Sequence, residues 1–307
     1  MSLPLNLFKA MRPKQWTKNL LLFAALLFAK EYAQADSVLR VVAAFVLFCI
    51  LSGTVYLVND VADLEQDRNH PRKRLRPIAS GALSPGIALA AAAILAPLCV
   101  VGCFFVSTPT GLVAVAYLGL TLSYHFMLKH VVILDALAVS GGFVLRAVAG
   151  AEAIQVEISP WLLLCTLLLA LFLTFTKRRQ ELVALEEDAR TTRQILSEYT
   201  PELLDQMIAV VTASTLMSYC LYTISDRTVG EVGSRDLIFT IPLVIYGIFR
   251  YLYLVHRHGQ GEAPDRVLLT DAPLLATVAL YVVVVAIIFY LAGGGLGGPL
   301  LPANGRY

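Results

Sequence analysis

The chain has 307 residues, 58% hydrophobic and only 15% charged, with a mean hydropathy of +0.72, whereas a soluble globular domain carries about a quarter charged residues. That composition excludes an ordinary water-soluble enzyme. It also excludes a secreted disulfide scaffold, because Cys49, Cys99, Cys103, Cys165 and Cys220 all lie inside apolar runs.

A bilayer core of about 30 Å needs roughly 20 apolar residues per helix. In chain order such runs fall at residues 18–32, 38–58, 85–107, 110–127, 131–151, 160–176, 207–225, 236–255 and 273–292. The expected fold class is therefore all-α: a polytopic membrane protein with nine transmembrane helices over residues 1–292, followed by a flexible tail, 293–307, that opens on glycines. The first run has the shortest apolar centre. It does not read as a signal peptide, because Lys30 and Glu31 directly follow its apolar centre, Leu20–Ala29, with no small-residue cleavage site.

The net charge of +2 is close to neutral, so the information lies in where the charges sit. Of the 24 Lys and Arg residues, eighteen fall in alternate connections, five fall in the others and Arg146 falls inside a span. The positive-inside rule then puts the N-terminus in the cytoplasm and the C-terminus outside. Two cytoplasmic connections are long and densely charged, 59–84 and 177–206. Four spans separate them, which suggests two similar halves of four helices plus a ninth, although no residue-level repeat is visible.

The first charged connection opens with Asn59-Asp60-Val61-Ala62-Asp63-Leu64-Glu65-Gln66-Asp67. If the second helix continues past Val58, then Asn59, Asp63 and Asp67 form one stripe with Asp60 beside it. Carboxylates stacked on one helical face repel each other unless a cation neutralises them, and oxygen-only ligands suit Mg²⁺ completed by substrate phosphate. The stripe is expected to hold Mg²⁺ against a pyrophosphate. The basic run that follows, His70-Pro71-Arg72-Lys73-Arg74-Leu75-Arg76-Pro77, would serve equally well as a topology anchor. Topology, however, demands no acids in front of it.

Asn59-Asp60-x-x-Asp63-x-x-x-Asp67, followed by Arg76-Pro77-Ile78-Ala79-Ser80-Gly81, resembles the UbiA superfamily of intramembrane prenyltransferases. The resemblance implies nine helices around a central cavity that opens to the cytoplasmic side. It also implies two Asp-rich motifs that use Mg²⁺ to ionise a prenyl diphosphate. This chain departs from that pattern after the sixth span. Where a second acidic motif is wanted it reads Thr176-Lys177-Arg178-Arg179-Gln180-Glu181, and its later acids lie on a segment with a rough helical stripe, expected to be an amphipathic helix over the cavity mouth. Thr200-Pro201-Glu202 reads as the cap of the seventh span's helix.

Bare cations in place of a metal site suit substrates with more anionic groups than one diphosphate. Together with Arg12-Pro13-Lys14-Gln15-Trp16-Thr17-Lys18-Asn19, Tyr124-His125-x-x-Leu128-Lys129, and Asp135 with Arg146, the basic motif resembles the decaprenyl-phosphate phosphoribosyltransferase branch. That resemblance implies transfer of 5-phosphoribose from phosphoribosyl pyrophosphate to a polyprenyl phosphate in a bacterial inner membrane, with the active site facing the cytoplasm. The product would feed lipid-linked arabinose donors for the cell wall. It implies Asp60, Asp63, Asp67 and Asp135 as catalytic residues, with Asn59, Asp63 and Asp67 on the metal. Lys14, Lys18, Asn19, Arg72, Lys73, Arg76, Tyr124, Lys129, Lys177, Arg178 and Glu181 would contact substrate, so that the two charged connections become halves of one phosphate-handling site. The partners are the two substrates and the lipid bilayer, with no nucleic acid, and a homo-oligomer is left open. The competing reading is ordinary prenyl transfer to an aromatic or glycerol-phosphate acceptor.

Asp135 and Arg146 share a face of the fifth span about 16 Å apart, too far for a mutual ion pair. Arg146 is expected to be structural, pairing with Glu152 or a neighbouring helix. His256-x-His258 reads as a solvated loop pair, and Tyr219, Tyr222 and Thr223 read as helix-interface packing.

Overall fold

The computed structural model describes residues 2–29, 31–71, 73–187, 198–258 and 270–292. Among these the chain is helical, with no strand. Seven helices are long and apolar enough to cross a membrane, which agrees with a multi-pass membrane protein. The expected tail, 293–307, lies outside the described residues, as do 188–197, where part of the expected amphipathic helix falls.

The chain divides into two compact units, Met1–Ile158 and Ser159–Tyr307. The boundary follows the fifth expected span, so the division is not the four-plus-four plan read from the loops. In the first unit α1 (Leu3–Ala10) leads into a 3-10 segment, Pro13–Leu22, which gives way to α2 (Phe23–Phe28). The first expected span is therefore a broken path and not one continuous helix. Then come α3 (Ala35–Ala62), α4 (Leu64–Asn69), α5 (Pro85–Val106), α6 (Thr108–Phe126) and α7 (Leu134–Ile154). Helix α6 is long enough to span but is polar at both ends, with Thr108, Pro109 and Thr110 at one and Tyr124 and His125 at the other, and it is not among the seven.

Helix starts follow the chemistry of unpaired N–H groups. Ser84 and Ser107 stand in front of a Pro-containing first turn, and their hydroxyls accept from the amides of Ile87 (3.3 Å) and Thr110 (3.1 Å). Ser107 alone links α5 to α6, and it also donates to the carbonyl of Glu152 on α7 (2.9 Å). The core of this unit has two parts. Leu22, Val41, Phe48, Leu51, Cys99, Cys103 and Tyr117 pack the broken first span against α3, α5 and α6. Met11, Leu57, Ile78 and Leu83 form a second cluster beneath the charged connection.

The second unit contains α8 (Pro160–Glu187), α9 (Pro201–Ile224), α10 (Asp226–Val232), α11 (Ile241–His258) and α12 (Ala272–Ala292). Thr200 caps α9 as expected, its hydroxyl accepting from the Leu203 amide at 3.2 Å. Helix α8 does not end at residue 176; it runs on through the cations to Glu187. His256 and His258 are likewise in helix and not in a loop. Tyr219 is a packing residue, with its hydroxyl 2.5 Å from that of Thr240 and 3.3 Å from that of Tyr281.

Candidate active site

The acidic motif lies where α3 gives way to α4. Backbone bonds continue across the break, from Asp63 N to Asn59 O (2.9 Å) and from Asp67 N to Asp63 O (2.9 Å), but Asp63 itself leaves the helical region at φ −92°, ψ 14°. Asp60 and Asp67, each only 2% exposed, turn inward together, while Asp63 stays part-exposed. The expected stripe of Asn59, Asp63 and Asp67 passes through this kink, and the two acids that the structure buries under one shared cation are Asp60 and Asp67. Asn59 is half-buried beside them.

The basic run returns over this pair. Ile78 and Leu83, both 1% exposed, anchor the loop in the apolar cluster with Leu57. Gly81 turns the chain at φ +80°, and Asn6 donates its Nδ2 to the Ala82 carbonyl at 2.9 Å. The return brings one nitrogen of Arg76 to both acids, 3.1 Å from Asp60 Oδ1 and 2.5 Å from Asp67 Oδ2. Lys73 stands 3.9 Å from Asp67. Arg72 lies outside the described residues. Lys129, in the turn before α7, reaches Asp63 at 3.2 Å.

Arg12 completes the cluster, pairing with Asp60 while its guanidinium lies 4.7 Å from the centre of the Tyr56 ring. Its backbone is left-handed at φ 55°, a strained conformation for a side-chain-bearing residue. In the sequence Arg12 stands out only as one of the N-terminal cations and as part of the Arg12–Asn19 motif. The signal was a basic residue directly before Pro13, where the chain must break.

Asp135 is fully buried in the first turn of α7, just after Ile133, which is also left-handed at φ 69°. Tyr124 is half-buried at the end of α6, and Lys14 and Lys18 are exposed on the 3-10 segment. Asn19 is different. It is 0% exposed, its Oδ1 accepts from Arg146 Nε at 2.7 Å, and its Nδ2 donates to Ser52 Oγ and Cys49 Sγ, each at 3.3 Å. In this arrangement its carboxamide is spent inside the protein. Arg146 therefore pairs with the neighbouring first span, not with Glu152.

In the second unit the cations of α8 are paired and not bare. Arg178 is buried and donates to Glu181 at 2.9 Å, with Lys177 at 3.8 Å from the same carboxylate. Arg179 makes a two-pronged ion pair with Asp205 on α9, and His256 lies 3.5 Å from Asp205. One helical turn suffices to bring Glu181 back to the cations, which is why an unbroken α8 neutralises them.

Chemically, the first-unit cluster can exchange partners. Among the described residues no three His, Cys, Asp or Glu side chains gather closely enough to hold a metal on their own. Mg²⁺ does not require that, since it is commonly held by one or two carboxylates with water and substrate phosphate. Asp60 and Asp67 meet that requirement, as hard oxygen donors converging on a single cationic nitrogen. Arg12, Lys73 and Arg76 would then be released toward phosphate oxygens, which guanidinium and ammonium groups bind well.

A model of the UbiA prenyltransferase family matches residues 20–270. The decaprenyl-phosphate phosphoribosyltransferase of Corynebacterium glutamicum is 38% identical over 290 residues, 92% of this chain and 86% of the relative. The protein of the same name from Mycolicibacterium smegmatis is 35% identical over 88% of this chain and 87% of its own. Among solved structures, a UbiA homologue from Archaeoglobus fulgidus bound to DMAPP and Mg²⁺ superposes with a TM-score of 0.70 at 16% identity, covering 94% of this chain and all of that one. A digeranylgeranylglyceryl phosphate synthase superposes with a TM-score of 0.62 at 18% identity, covering 96% of this chain and 100% of that one.

Proposed function

Because the chain belongs to the UbiA prenyltransferase family, we propose that it is a membrane transferase that moves 5-phosphoribose from phosphoribosyl pyrophosphate to a polyprenyl phosphate and releases pyrophosphate. The observation that carries this reading is the 35–38% identity, over most of both chains, to relatives that bear the phosphoribosyltransferase name. The finer parts of the reading are nine membrane crossings, an opening toward the cytoplasm, location in a bacterial inner membrane and a place in cell-wall precursor synthesis. They are supported by the spacing of apolar runs, by the sorting of Lys and Arg and by those same names.

Asp60 and Asp67, with Asn59 and Asp63 beside them, would hold Mg²⁺. When bound, the metal neutralises charge on the departing pyrophosphate. Arg12, Lys73 and Arg76 turn from the carboxylates to the donor's phosphate oxygens, and Lys14, Lys18 and Lys129 supply further positive charge. Asp135 is assigned to the metal or the ribose, and Tyr124 to the donor's phosphates. In the second unit Lys177, Arg178 and Glu181 are assigned to substrate, the two cations toward phosphate and Glu181 orienting them through its ion pairs. The acceptor phosphate already carries the attacking negative charge, so no strong general base is required. The protein's share is to position the reactants and stabilise charge as the bond to C1 breaks.

The test is a purified preparation in lipid nanodiscs supplied with Mg²⁺, phosphoribosyl pyrophosphate and decaprenyl phosphate. Pyrophosphate should be released only when both substrates are present. Silence beside an active relative overturns the reading. A second reading, prenyl transfer from a prenyl diphosphate, is favoured by the fold shared with prenyl-diphosphate-bound homologues. It predicts pyrophosphate release from geranyl diphosphate with an aromatic or glycerol-phosphate acceptor in the same assay.

A further inference from the structure

We infer that Arg146 is a positioning residue: acting through Asn19, it holds residues 13–22 in the 3-10 winding that sets Arg12 at the acidic motif and fixes the direction of Lys14 and Lys18, the cations assigned above to the donor. The inference rests on the donor assignment made above. Arg146 is 7% exposed within a membrane span, and among the described residues no carboxylate is paired with it. Its guanidinium is met by neutral groups alone: Asn19 Oδ1 (2.7 Å), the Tyr117 hydroxyl (2.7 Å), the Gly142 carbonyl (2.9 Å) and the flanking faces of Tyr117 and Phe143. A cation kept in a span on such terms is costly, which makes it a candidate for function and not for stability.

Its geometry says what it holds. A guanidinium only donates, so Asn19 must present Oδ1 to it, and Nδ2 is left to donate to Ser52 and Cys49 on α3. The Asn19–Arg146 pair thereby ties α7, α6, α3 and the 3-10 segment together. The segment needs such a tie, because 3-10 runs longer than three or four residues are uncommon and poorly bonded, whereas this one has ten. Trp16, Asn19 and Leu22 recur every third residue, the spacing that stacks side chains in a 3-10 helix. Asn19 and Leu22 are both 0% exposed, and Asn19 is the middle of the row. At its far end the Leu22 carbonyl lies only 2.0 Å from where a Cβ on Gly150 would stand.

Rewinding ten residues from 3-10 to α would shorten the segment from about 20 Å to about 15 Å and rotate one end against the other by roughly half a turn. Arg12 would be drawn from Asp60, and Lys14 and Lys18 would face elsewhere. Arg146 thus sets the direction of three cations without contacting the substrate.

The test compares Arg146→Met and Arg146→Lys with the wild-type full chain in nanodiscs. Arg146→Met should raise the KM for phosphoribosyl pyrophosphate about tenfold or more while kcat and the KM for polyprenyl phosphate stay within about threefold. Arg146→Lys, which keeps the charge but not the three-way fork, should lie between the two. Amide hydrogen exchange over residues 13–22 should speed up in Arg146→Met and, by less, in Arg146→Lys, with Pro85–Val106 unchanged. Unaltered exchange over 13–22 in both variants overturns the inference, as does an equal loss in kcat and both KM values. Faster exchange in variants of a wild type that transfers no phosphoribose supports the tie and overturns the functional reading instead.

Discussion

Arg76 binds two carboxylates through one nitrogen, and this contact defines the site at the scale of single residues. Asp60 and Asp67 are buried, so removing their shared cation leaves charge in a medium that solvates it poorly. Arg76→Met should lower stability by about 3 kcal/mol, read as a fall in the thermal midpoint of the detergent-solubilised protein. Asp63→Asn tests chemistry and not folding, because Asp63 is part-exposed and shares its charge with Lys129. Its Mg²⁺-dependent turnover should fall on the order of 100-fold with little change in stability. Undiminished turnover would remove Asp63 from the catalytic set. The acids themselves were legible from their spacing. Their grouping was not, because residues 60 and 67, two helical turns apart, are joined by Arg76, which arrives on a loop that returns over them. Arg12 and Asn19 exchanged expectations for a similar reason: the neighbours that define them come from residues 60, 52 and 146, far away in sequence.

One helix start was readable: Thr200-Pro201 pairs a capping hydroxyl with a Pro in the first turn, and the structure begins a helix there. The structure adds Ser84-Pro85 and Ser107 before Thr108-Pro109 as two more starts of the same kind. Thr200→Ala should therefore cost about 1 kcal/mol, measurable as a lowered thermal midpoint without change in substrate affinity. Helix ends and irregular helices were harder. The end of α8 was placed at the apolar-to-charged switch, yet Lys177 to Glu181 are good helix formers that continue the hydrogen-bond ladder and pair along it. The 3-10 segment of residues 13–22 packs against α3 and α7, elements distant in sequence, so local propensity could not reveal its winding. Its packing gives the next prediction. Gly150→Ala puts a methyl group onto the Leu22 backbone carbonyl, which cannot rotate away as a side chain could. The expected loss is about 1–3 kcal/mol, seen in thermal unfolding.

Across the whole molecule, the positive-inside pattern yields a topology that can be checked without any substrate. Cysteine placed at Arg227 should react with a membrane-impermeant maleimide on intact cells, whereas cysteine at Glu65 should react only after permeabilisation. The opposite result would invert the orientation. Composition, the nine apolar runs, the sorting of Lys and Arg, and the acidic motif with its family resemblance were all available from the chain as written. They follow from two local rules, the length of apolar helix a bilayer requires and the cost of moving cations across it. The tertiary structure decided the rest: a division after the fifth expected span, a first span that is broken and partly 3-10, acids shared between Arg12 and Arg76, and a buried Arg146 tied to Asn19. Each depends on which distant groups meet in a low-dielectric interior, where a charge must find its partner wherever the fold supplies one.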